Sequence, residues 1–151
     1  MKRTLVLLTT MLCVAFAFAA GPISWKFSSI VSADGNIVVS LQAVCEEGWH
    51  IYALTLPRDD GPFPTVVRVT STKLYDGSGA VQEPQPVEMD DPNFQMQVRY
   101  HTGSPVFTIP VKRLSAGAFD VTGEVEFMSC NDKTCLPPEV VKFTLPIAAL
   151  K

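Results

Sequence analysis

Charge is scarce in this chain and never gathers into a basic stripe: 12 Lys and Arg stand against 15 Asp and Glu in 151 residues. That balance excludes a nucleic-acid binder, which needs a contiguous basic surface. No Ser/His/Asp order, glycine-rich phosphate loop or paired-carboxylate signature occurs, so hydrolase and nucleotide chemistry have no motif to rest on. Beyond the N-terminus no segment stays apolar for even half of the ~20 residues that cross hydrocarbon. No stretch of useful length repeats at the helical period, and there is no internal repeat, low-complexity tract or linker to a second domain.

The N-terminus has the composition that the rest lacks. Lys2 and Arg3 form a basic start, Leu5 to Phe18 an apolar run of about 14 residues, and Ala17, Phe18, Ala19 a small-x-small cleavage site. Residues 1–19 therefore read as a signal peptide, and 20–151 as a single domain with a net charge of about −5. Leu12 stands before Cys13 where a lipobox needs a small residue, which argues against a lipid anchor. Export implies an oxidising compartment, so the cysteines left after cleavage, Cys45, Cys130 and Cys135, are disulfide candidates, and only one pair can close within the chain.

What is abundant is alternation at period two. Ile23, Trp25 and Phe27; Val39, Leu41, Ala43 and Cys45; Phe107, Ile109 and Val111; Phe119, Val121, Gly123, Val125 and Phe127; and Val141, Phe143, Leu145 and Ile147 each form the apolar half of a strand. Turn residues separate them at Asp34 to Asn36, Asp59 to Pro62, Asp76 to Gly79 and Asn131 to Asp132. The pattern predicts an all-β fold, an antiparallel immunoglobulin-like β-sandwich. The proline-rich stretch Ala80 to Asn93 is expected at an edge or in a surface loop, because proline donates no ladder hydrogen bond.

The segment Cys130, Asn131, Asp132, Lys133, Thr134, Cys135 carries the chemistry. Asn and Asp at its middle favour a tight reversal, which sets the cysteines opposite each other with Cα atoms about 4.5 to 5.5 Å apart, within disulfide range. Closing so short a loop removes only ~2 kcal/mol of unfolded-state entropy, which makes the bond a weak staple. A redox centre and a structural bridge remain open on these residues alone. A metal site is disfavoured, since His50 and His101 lie far off in sequence and no zinc-ligand spacing is present.

The hairpin followed by Leu136, Pro137, Pro138, together with Gly48, Trp49, His50, Ile51, Tyr52 and Gly61, Pro62, Phe63, Pro64, Thr65, resembles the N-terminal periplasmic domain of the thiol:disulfide interchange protein DsbD. The resemblance spans nearly all of residues 20–151. It implies an immunoglobulin-like domain in which Cys130 and Cys135 relay electrons by thiol–disulfide exchange, without a cofactor or metal. Their donor would be a thioredoxin-like protein, and their acceptors other periplasmic oxidoreductases or cytochrome c maturation proteins. It also implies a cap loop over the cysteines, matched by Asp90, Asp91, Pro92, Asn93 and Phe94, with Phe94 as the shielding ring. Two tyrosines beside the hairpin match His50 and Tyr52, the first a departure. A second departure is the shorter spacing between the cysteines, by one residue. Because the sequence ends at Lys151, the expectation is a separate shuttle, with a distinct membrane electron transporter among its candidate partners.

Other residues have plainer readings. Cys45 continues an apolar strand face and is expected to be an inert packed thiol. His50 reads either as a structural histidine or as a group that tunes the thiols, and His101 as a solvated strand end. Met89, Met96 and Met128, spread over forty residues, read as gap-fillers in preference to a copper site. The alternative to the shuttle is a non-catalytic secreted β-sandwich binding module with a structural disulfide.

Overall fold

The computed structural model describes residues 15–17 and 21–150. In chain order the strands are β1 (Ala15–Ala17), β2 (Ile23–Val31), β3 (Ile37–Cys45), β4 (His50–Tyr52), β5 (Val66–Val69) and β6 (Tyr75–Asp76). They continue with β7 (Val87–Asp91), β8 (Met96–His101), β9 (Val106–Arg113), β10 (Phe119–Phe127), β11 (Ser129–Cys130) and β12 (Glu139–Ile147). No helix occurs among the described residues. The leader read over residues 1–19 lies outside them, apart from Ala15–Ala17, which pair antiparallel with β2.

Two sheets form the sandwich. One has the order β1-β2-β3-β9-β6 and the other β12-β10-β5, and every pairing is antiparallel. Each long strand buries alternate residues, as period-two patterning requires. Trp25, Phe27, Leu41 and Phe107 from the first sheet meet Val121, Val125, Phe127 and Phe143 from the second. Ring centroids 5.4 Å apart for Trp25 and Phe127, and 4.8 Å for Phe27 and Phe143, join the two layers. Gly123 interrupts the apolar row of β10 for a steric reason: a Cβ there would lie 2.5 Å from the Phe143 ring and 2.6 Å from the Arg68 carbonyl oxygen.

A third sheet, β11-β4-β8-β7, closes one end of the sandwich and carries the hairpin. Its strands are too short to form a core alone, so it leans on the sandwich through Ile51, which joins the main core. As expected for the proline-rich stretch, β7 is its edge strand. The solvated reading of His101 is overturned. Its ring is only 4% exposed, its Nε2 lies 2.9 Å from Glu83 Oε2, and its plane stands edge-on to Phe107. The physical reason is the pairing of His101 with Ile51, which puts both side chains on the core side of the sheet. Glu83, from the irregular segment before β7, then closes over it and also accepts the Leu54 N–H.

Candidate functional site

Register places the site residues. Cys130 pairs with His50, Tyr52 with Tyr100, Val98 with Met89 and Met96 with Asp91. Directly paired residues share a sheet face, and so do alternate residues along a strand. One face of the third sheet therefore collects Cys130, His50, Tyr52, Tyr100, Val98, Met96, Met89 and Asp91. Its buried centre is Tyr52, Met96, Val98 and Cys130, with Leu56, Met89, Phe94, Tyr100, Met128 and Cys135 packed around it.

Asn131 shapes the hairpin. Its Oδ1 accepts the N–H groups of Lys133 and Thr134, both at 2.9 Å, which folds the turn locally. Backbone bonds Asn131 N–H to Thr134 O and Leu136 N–H to Ser129 O flank the cysteines, which oppose each other with Cα atoms 4.1 Å apart and are joined by a disulfide. The two cysteines differ in exposure, since Cys130 is fully buried while Cys135 is half-buried.

Asp91 organises the groups above the bond. Though only 1% exposed, it is hydrogen-bonded through both oxygens: Oδ2 accepts the Tyr52 hydroxyl at 2.6 Å, and Oδ1 accepts the N–H of Asn93 at 2.7 Å and of Phe94 at 3.3 Å. It thus ties the β7–β8 turn to the Tyr52 ring that lies against the cysteines. Burial, followed by the Asp91 hydrogen bond and charge, pushes the Tyr52 phenol well above its ordinary value, so it stays protonated. Its oxygen lies 4.0 Å from Cys135 Sγ.

The turn of residues 92–95 contains Pro92, Asn93 and Phe94 of the segment read as a cap, and it lies beside the hairpin. Phe94 is half-buried and stands edge-on to Tyr52, with centroids 6.2 Å apart. A second link joins the turn to the hairpin, from Asn93 Nδ2 to the Asn131 carbonyl oxygen at 2.9 Å. Gln95 adopts φ 53°, a left-handed conformation unusual for a residue with a side chain, so this turn stores strain that its contacts hold in place. Asp90 is on the opposite, exposed face of β7 and makes none of these contacts. Replacing Phe94 with Ala removes about 1 kcal/mol of aromatic contact with Tyr52 and thins the packing of the cluster that holds the cysteines. A several-fold faster reduction of the bond by a small thiol is expected, measured by alkylation of the freed sulfurs.

His50 lies within the cluster, its ring edge-on to Tyr52 at 5.3 Å and to Tyr100 at 5.1 Å. Its Nε2 is buried without a hydrogen-bond partner. Burial holds the imidazole below the ordinary 6.5, against the opposing pull of Asp91 and Asp132. The unfolded chain thus takes up a proton here, as pH falls through 6.5, that the folded chain refuses. Stability from this residue is complete above that value and is lost below it. Denaturant unfolding is expected to show a decline from pH 7 toward 5 that His50→Gln flattens.

Cys45 belongs elsewhere. It packs against the main core, and burial pushes its thiol up to about 11, which leaves it protonated and a poor nucleophile at neutral pH. Nothing groups it with the hairpin. The methionines, by contrast, do not stay scattered: Met89, Met96 and Met128 all reach the cysteine cluster.

The comparisons with known proteins bear on the family and the fold. Residues 18–147 match the family model described as thiol:disulfide interchange protein DsbD, N-terminal. The chain belongs to this family. The family's description names thiol:disulfide interchange, and the hairpin carries the disulfide of this domain. Among solved structures it is similar to the N-terminal periplasmic domain of ScsB from Proteus mirabilis, with 14% identity and a TM-score of 0.63. That match covers 87% of this chain, which spans about half (49%) of the ScsB domain. It is similar also to the reduced DsbD N-terminal domain of Neisseria meningitidis, at 16% identity and a TM-score of 0.53, over 84% of this chain and 86% of that one. The GAE domain of GGA2p from Saccharomyces cerevisiae matches at 12% identity and a TM-score of 0.50, over 89% and 98%. At such identities the likeness is one of fold, an immunoglobulin-like β-sandwich. A search of curated proteins returns no significant match.

Proposed function

We propose that this domain works in the periplasm as an electron relay, reduced at Cys130–Cys135 by a thioredoxin-like protein and oxidised in turn by other periplasmic oxidoreductases or cytochrome c maturation proteins. The observation that carries the reading is the unequal burial of the two cysteines beside a strained turn tethered to the hairpin. A staple needs no such cover, whereas an exchanging bond gains by being hidden from adventitious thiols until a partner displaces the ring.

In the exchange, a thiolate of the reductant attacks Cys135 Sγ, the accessible sulfur. The Cys130–Cys135 bond breaks, and Cys130 leaves as a thiolate that takes a proton. The reductant's second thiolate then attacks the mixed disulfide, freeing Cys135 and leaving the reductant oxidised by two electrons. Oxidation of the pair by an acceptor disulfide reverses these steps. Tyr52 has a defined part in this. Its hydroxyl proton is committed to Asp91, so the phenol oxygen presents a lone pair to Cys135 and can accept the S–H that reduction creates.

The test is electron transfer from a reduced thioredoxin-fold protein to the oxidised domain, followed by quenching and thiol counting. Reduction of the pair much faster than by an equal concentration of a small dithiol supports the relay. Equal rates would leave the cysteines without a partner-specific role.

A further inference from the structure

Three thioethers in one sulfur cluster ask for an explanation that packing alone does not supply. Met89, on β7, and Met96, on β8, share the sheet face of Cys130, and Met128 arrives from the end of β10. Met96 is a buried member of the cluster that holds Cys130, and Met89 and Met128 pack against that cluster, as Cys135 does. A second, independent observation lies on the same face. His50 is 95% buried, its ring is seated against Tyr52 and Tyr100, and its Nε2 has no partner. Among the described residues no three His, Cys, Asp or Glu side chains group as a metal site, so a hard or borderline cation finds no cage. The donors that do assemble are soft.

We propose that the reduced domain binds one Cu(I) ion between the Cys130 and Cys135 thiolates, with a methionine thioether of this cluster as a third ligand. Thiolate and thioether select Cu(I) over the harder divalent ions, and a low coordination number suits a pair of opposed cysteines. The oxidised pair offers no thiolate. The disulfide must first take two electrons and two protons from a dithiol, which becomes a disulfide itself. Binding then releases both thiol protons as the two Cu–S bonds form, and the metal undergoes no change of oxidation state. With both sulfurs occupied, the ion blocks thiol–disulfide exchange until it is removed. The inference rests on the reading above only in requiring that the pair be reducible.

The experiment uses the full chain with Cys45→Ser, so that the hairpin holds the thiols that respond. The protein is reduced, desalted without oxygen, its free thiols are counted, and it is titrated with Cu(I) against bathocuproine disulfonate, whose copper complex is coloured. Two counted thiols and the withdrawal of one equivalent of Cu(I) are expected, with none withdrawn by the oxidised chain. The triple variant M89L/M96L/M128L keeps side-chain volume and apolarity. It is expected to retain both thiols and to bind Cu(I) at least tenfold more weakly, while Cys135→Ser loses the competition. Two counted thiols without any withdrawal of Cu(I) would overturn the site while leaving the exchange reading intact. An unchanged affinity in the triple variant would overturn the thioether ligand. A pair that resists reduction defeats both readings, and the thiol count shows this before copper is added.

Discussion

Cys130→Ser is expected to trap a mixed disulfide quickly and Cys135→Ser slowly, although either change abolishes turnover. Each substitution leaves one hairpin sulfur, which can attack a partner's disulfide but has no neighbour to resolve the product. Cys135 is half-buried and Phe94 packs against the same cluster, while Cys130 is fully buried within it. For the lone Cys130 thiolate to react, β11 and its pairing to β4 must open. An opening free energy of about 3 kcal/mol, ordinary for a short element at the end of a sheet, slows reaction about a hundredfold. The measurement is the rate at which each variant forms a stable adduct with a disulfide-bearing thioredoxin-fold protein, read as a mass shift. Comparable rates would show that access does not distinguish the sulfurs.

Asp91→Ala is expected to have the largest effect of any substitution outside the cysteines. Three donors converge on this carboxylate, and its removal leaves the buried Tyr52 hydroxyl and the N–H of Asn93 without partners. Losing hydrogen bonds to a charged acceptor and stranding a buried hydroxyl together cost about 3 kcal/mol. Because the same carboxylate holds the turn that carries Phe94, the loss is expected in function as well: reduction of the disulfide by a small thiol accelerates beyond what Phe94→Ala achieves. Tyr52→Phe separates the two consequences. It removes the phenol but spares the Oδ1 bonds that shape the turn, so it is expected to lower stability by roughly half as much and to leave the cover closed. Denaturant unfolding and thiol-release kinetics on the three variants check the ordering. Similar kinetics for Asp91→Ala and Tyr52→Phe would mean that Asp91 does not hold the turn.

Those two expectations use residues that differ in how far the sequence discloses them. The long strands β2, β3, β9, β10 and β12 follow from alternation, because each buries one face and one face only. The opposition of Cys130 and Cys135 follows from the Asn131–Asp132 turn, and the observed Cα separation of 4.1 Å is close to the expected spacing. Phe94, Asp91 and His50 each contact Tyr52, whose hydroxyl lies 4.0 Å from Cys135 Sγ. Asp90 differs from Asp91 by the one-residue alternation of β7, which turns its side chain to solvent.

What the sequence did not disclose depends on registry between short strands. The burial of His101 needs Glu83, and the two are joined only by a segment too irregular to show any period. Gathering Met89, Met96 and Met128 requires the alignment of β7 on β8 and the approach of the end of β10. Read along the chain they are three separate gap-fillers; read across the sheet they belong to the cluster that contains Cys130 and Cys135. A comparable signal could be sought in sequence only by pairing candidate edge strands and asking which chemically similar residues fall on the face of the cysteines.

The reduction potential of the Cys130–Cys135 pair tests the central claim most directly. The domain is equilibrated in thiol–disulfide buffers of graded ratio, quenched, and its free thiols counted by an alkylating mass tag. A potential between about −180 and −270 mV, the range of proteins that exchange disulfides, is the predicted result. A value below about −300 mV would mark a bond that the proposed partners cannot reduce, and would contradict the relay.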